Sequence, residues 1–165
     1  ALDYAQQALD RTRESGYRSA EGFAWVGHSN ALLALGRLDE ATASIQQSID
    51  LRVEMGEQNM IMESRSTLAR IDLARHDVPA ALAQVDIILN YLQQNSLDGT
   101  DEPFRIYLTC CQVLQAAQDP RFTAVLQEAL RLLQQQADRI TDPDLHQSFL
   151  CNVAAHMELV RLAAV

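Results

Sequence analysis

Apolar residues recur along this chain at the three- and four-residue steps of an amphipathic helix, and the pattern itself repeats at intervals of forty residues. Ala1, Ala5, Ala8 and Leu9 correspond to Ala41, Ile45, Ser48 and Ile49, and again to Ala81, Val85, Ile88 and Leu89. The first two copies also agree at polar positions: Gln6 and Gln7 match Gln46 and Gln47, Asp10 matches Asp50, Glu14 matches Glu54, and Gly16 matches Gly56. A period of about twenty to fifty residues built from helical pairs signals a stack of units, because no unit can bury its apolar face alone and each covers the next.

Breakers divide the chain into predicted helices over Ala1–Ser15, Ser19–Leu35 and Leu38–Met55, ended by Gly16, Gly36 and Gly56. Two more are predicted at Gln58–Arg75 and Val78–Gln94, the latter with Pro79 in its first turn, where a missing N–H is harmless. Ser96–Pro103 reads as a loop, followed by helices at Phe104–Ala117 and Arg121–Ile140. The motif resumes at Val125, Ala129, Leu132 and Leu133, forty-four residues after Ala81, Val85, Ile88 and Leu89, which places an insertion near Asp119-Pro120. A last helix, Pro143–Ala163, carries Leu145, Phe149, Val153, His156 and Val160 on one face and is expected to cap the stack. The expected organisation is one all-α helical-repeat domain over 1–165, with a half repeat at 1–16, repeats at 19–56 and 58–95, a degenerate repeat at 103–140 and a capping helix at 143–163.

The composition supports helix nearly throughout, with 48% apolar residues, six Gly and four Pro in 165 residues. Thirteen basic and twenty-two acidic side chains leave a formal charge of −9; every basic one is Arg, and none cluster into a run that could track a phosphate backbone. Direct binding of nucleic acid is not expected. No apolar run approaches the ~20 residues that span a bilayer, and no basic stretch with an apolar core opens the chain, so neither membrane insertion nor export is expected. Three Cys, two of them adjacent at Cys110 and Cys111, make a poor disulfide framework, and a cytoplasmic location is expected.

The unit Trp25-x2-His28-Ser29-x2-Leu32-x3-Gly36-x4-Ala41-x3-Ile45-x2-Ser48 resembles a tetratricopeptide repeat. The resemblance implies an α-α superhelix, or solenoid, of about eight antiparallel helices, in which Ser29 and Ala41 let paired helices approach while Trp25, Leu32 and Ile45 fill the space between pairs. The second unit departs from the pattern, with Arg65, Asp72 and His76 where Trp25, Leu32 and Gly36 stand, but keeps Leu68, Ala69 and Ala81. The long units, and the closing stretch Leu145-x2-Ser148-Phe149-Leu150-x-Asn152-Val153, resemble the C-terminal repeat arrays of large bacterial signalling ATPases and transcriptional regulators. An array starting at the second helix of a pair would leave Leu2, Ala5 and Leu9 uncovered, from which a weak homodimer through the first helix is expected.

No Gly-rich phosphate loop, His-Glu-x-x-His or Cys-x-x-Cys is present, so the expectation is a non-enzymatic chain with no catalytic residues, no metal and no cofactor. His28 is read as a neutral imidazole bonded to a neighbouring helix. His146, Cys151 and His156 fall at five-residue steps, about 140° apart around a helix, and do not share a face. Cys110 and Cys111 are read as one core and one flanking residue. Asp142 and Asp144 flank Pro143 and are read as helix caps beside Asp138. Binding is the remaining function. The first helix of each pair would line a concave face presenting Phe23, Val26, Asn30 and Leu33, then Glu63, Ser66, Arg70 and Leu73, then Ile106. The expected function is protein–protein interaction or regulatory scaffolding within a larger bacterial signalling or transcription-control protein, the partner being a peptide or another domain of the parent. The alternatives are a small-molecule sensor and a structural or oligomerisation spacer.

Overall fold

The computed structural model describes residues 2–164, and among these the chain is all-helical, without a strand. Nine helices follow one another: α1 (Leu2–Ser15), α2 (Arg18–Ala34), α3 (Leu38–Met55), α4 (Gln58–Ala74), α5 (Val78–Leu92), α6 (Pro103–Ala116), α7 (Phe122–Ala137), α8 (Pro143–Cys151) and α9 (Ala154–Leu162). They divide into two compact units, one ending at Thr100 and one beginning at Asp101.

In the first unit the helix ends fall at twenty-residue steps. Gly16, Gly36, Gly56 and His76 all lie in the left-handed region, with φ of 67°, 71°, 74° and 62°. After three of them the next N–H reaches back five residues: Arg37 to Leu32 O at 3.0 Å, Glu57 to Arg52 O at 3.0 Å and Asp77 to Asp72 O at 2.9 Å. This closure satisfies carbonyls that a helix end otherwise orphans, and it needs a left-handed residue just before the donor. His76 does with an imidazole side chain what Gly36 does without one.

Neighbouring helices in this unit run in opposite directions. Ser48 Oγ donates to Gly22 O (3.0 Å), Ser44 Oγ to Trp25 O (3.3 Å) and Ser29 Oγ to Ala41 O (2.9 Å), so residue number rises along α2 as it falls along α3. The same reversal relates α3 and α4, where Ser48 meets Ser64 at 2.9 Å and Asp39 meets Arg75 at 2.6 Å. Small hydroxyl side chains permit this close approach, and each of these buried hydroxyls has a partner across the seam. Val26, Leu32, Ala41, Ile45 and Ile71 form the adjoining apolar core, with Leu2, Leu33, Leu38 and Leu68 against it. Leu97 is buried and anchors the loop after α5, where Asn59 Nδ2 donates to Asp98 O at 2.9 Å.

The second unit is built from α6 to α9. Phe104, Cys110, Val113 and Leu114 of α6 are buried, as are Leu126, Ala129, Leu133 and Ala137 of α7. The single closing helix expected over Pro143–Ala163 is instead two, broken at Asn152 and at the extended Val153. Asn152 Nδ2 turns back to Ser148 Oγ at 3.0 Å. The break resets the helical phase. Leu145, Val153 and Val160, expected on the buried face, are exposed; His156 is buried as expected, and Ala155 and Leu159 are buried beside it.

Three further expectations are corrected. Trp25 is half-buried rather than enclosed between pairs, with the Arg13 guanidinium 4.7 Å from its ring centre. Cys110 and Cys111 are both buried, since α6 carries buried side chains around its circumference. Leu9 is 1% exposed, because α1 turns it toward α2, so it is not part of an open apolar edge. The start of the first predicted helix at Ala1 lies outside the described residues.

Candidate functional site

The nine residues expected to line one face divide by their surroundings. Val26 belongs to the core, Ser66 is buried on α4, and Ile106 is buried in the second unit, so none of the three offers a binding surface. These positions face neighbouring helices, a property of packing that helical spacing alone does not specify. Phe23 and Glu63 are committed to an internal contact. Asn30, Leu33, Arg70 and Leu73 remain half-exposed, and they are the same two positions taken from successive forty-residue copies. Arg70 Nη1 donates to Asn30 Oδ1 at 3.0 Å, joining α2 to α4.

Phe23 and Glu63 meet a charged side chain of α3. Arg52 of α3 is 0% exposed. Its guanidinium lies 4.7 Å from the Phe23 ring centre, its Nε donates to Ser48 Oγ at 3.1 Å, and its Nη2 stands 3.8 Å from Glu63 Oε2. Gly22 makes room: a Cβ there would come within 3.2 Å of Arg52 Nε. Ionised side chains are rarely buried without a counter-charge and hydrogen bonds, and here Glu63, Ser48 and an aromatic face supply both.

His28 Nδ1 lies 2.9 Å from Ser44 Oγ on the facing helix, and burial, then the Arg37 charge, hold its imidazole below the ordinary value of 6.5. Burial also pushes both adjacent thiols up, that of Cys111 to about 12, which makes them poor nucleophiles. Asp142 accepts from the N–H groups of Asp144 and Leu145 at 2.9 and 3.0 Å, a cap at the start of α8.

Among the described residues no three His, Cys, Asp or Glu side chains gather in a way that could hold a metal ion. His156 has a structural task. The helix break removes the N–H that would have bonded Phe149 O, and His156 Nδ1 takes that carbonyl at 2.7 Å. A carbonyl can only accept, so Nδ1 carries the proton. The imidazole is flanked by Phe104 and Phe149, with ring centres 4.8 and 4.4 Å away.

One concavity escaped the sequence reading. An open groove of about 880 Å³ lies among α7, α8 and α9, with Leu130, Leu133, Leu150, Met157 and Val160 on its walls. Its outline depends on the break at Asn152, for which the sequence signal is a run of three weak helix formers, Cys151-Asn152-Val153. None of the protein-family models, curated proteins or solved structures compared with the chain matches it.

Proposed function

We propose that this chain is a tetratricopeptide-like helical-repeat segment that recognises a protein or peptide, as an interaction or regulatory part of a larger bacterial signalling or transcription-control protein. One observation carries the reading: Asn30 and Arg70, forty residues apart, are hydrogen-bonded to each other across α2 and α4. Equivalent positions of successive copies that touch generate a continuous strip, and the neighbouring Leu33 and Leu73 give that strip apolar anchors beside its polar groups. Extended ligands bind such strips through a few anchors set in a polar surround. The absence of any basic run in a chain of charge −9 supports a protein partner over nucleic acid.

The test is capture of partners from lysate, and from the parent protein's other domains, by the wild-type chain and by surface variants. Arg70→Glu and Asn30→Ala should lose the partner while keeping the helical circular dichroism signal. Asp50→Arg is the control, because Asp50 is exposed on α3 and accepts from Gln46 along its own helix. Equal loss from the strip variants and the control would overturn the reading.

A further inference from the structure

The groove among α7, α8 and α9 has the size of a small-molecule site, within the usual range of about 300–1,000 Å³. Met157 and Val160 on its walls are 46% and 48% exposed, so apolar surface stands open to water. The charged side chains on the wall are Arg131 and Arg161, both cationic in a chain whose net charge is −9. Each is paired along its own helix, Arg131 with Glu128 at 2.7 Å and Arg161 with Glu158 at 3.6 Å. Those carboxylates are not part of the wall. A guanidinium offers five N–H donors, and an exposed pair three residues apart on one helix leaves some of them for a second acceptor.

We propose that this groove binds a free single-chain amphiphile with a carboxylate head, its hydrocarbon lying along Leu130, Leu133, Leu150, Met157 and Val160 and its head taken by Arg131 and Arg161. The sign of the wall selects the anionic head.

Cys151 makes the occupancy readable. It lies on the wall, exposed, with Gln147 Nε2 donating to its Sγ at 3.0 Å, whereas Cys110 and Cys111 are buried. Alkylation of the native chain by iodoacetamide therefore reports on Cys151. Sodium dodecanoate below its micelle concentration should slow that reaction saturably, and dodecyltrimethylammonium at the same concentration should not. Arg131→Gln combined with Arg161→Gln should raise the half-protecting concentration about tenfold or more, as expected for lost charge-assisted hydrogen bonds. Val160→Asp should abolish protection, with unchanged circular dichroism confirming that both variants fold; if Val160→Asp unfolds, the arginine variant alone decides. No protection by dodecanoate, equal protection by the cationic amphiphile, or protection that survives loss of both arginines would overturn the proposal. Protection by phosphatidylglycerol vesicles but not by dodecanoate would overturn it as well.

Discussion

Arg52 illustrates how far a side chain's role can depart from its type. A charged residue on an amphipathic helix is ordinarily a solvent-facing one, and reversing its charge would then be harmless. Here Arg52 is fully buried between Ser48, Phe23 and Glu63, so Arg52→Met should destabilise the chain by about 3–5 kcal/mol by breaking its ion pair with Glu63. Changing both, Arg52→Met with Glu63→Met, should recover most of that loss, because two apolar side chains of similar volume replace a desolvated pair. Denaturant midpoints of the two variants check this; a cost below about 1 kcal/mol for the single change would show that the pair is not held as described. His28 gives a prediction of opposite character. Its pKa is lowered in the folded chain, so as pH falls through 6.5 the unfolded chain takes up the proton first and stability declines. His28→Gln should remove that part of the slope. The difference between wild-type and variant midpoints should be constant well above pH 6.5 and shrink below it.

At the scale of helices, the turns carry the design. His76 occupies a left-handed position that glycine fills at Gly16, Gly36 and Gly56, and side chains other than glycine are disfavoured there by about 1–2 kcal/mol. His76→Gly should therefore raise the melting temperature, and Gly56→Ala should lower it. The forty-residue match and these breakers made most of the fold legible: α3 was bounded at Leu38 and Met55 to the residue, and α2, α4 and α5 to within two. The break between α8 and α9 was not legible, because Val153 and Val160 continue an apolar period straight through a bend that contains neither Gly nor Pro. The candidate strip was half legible. Periodicity pairs Asn30 with Arg70 and Leu33 with Leu73, but whether Val26 or Ser66 looks outward depends on which helix lies beside it, and that is settled only in three dimensions.

For the molecule as a whole, the division into two units falls at the loop between α5 and α6, and that loop is held rather than loose. Leu97 is 6% exposed, and Asp98 O accepts from Asn59. Backbone held by a buried side chain resists proteases, since cleavage needs local opening. Leu97→Ser should release it, and cutting by a protease specific for acidic residues should then concentrate at Asp98 and Asp101. Mass spectrometry of a short digest would locate the cuts; an unchanged cleavage pattern would mean that Leu97 is not the anchor.

The matched bounds of α2 and α4, forty residues apart at both ends, carry a genetic consequence. Outside the turns, the smallest change in length that such a chain absorbs without loss is forty codons, inserted or removed in frame. A tandem copy of residues 38–77 should yield a longer protein that melts cooperatively at or above the parent's temperature. Deleting a single codon within α3 turns every later position of that helix by about 100° and carries its buried serines away from the seam they bridge. In lineages carrying this architecture, therefore, gain and loss of whole duplicated blocks should be common in the coding sequence, and single-codon gaps should be confined to the turns.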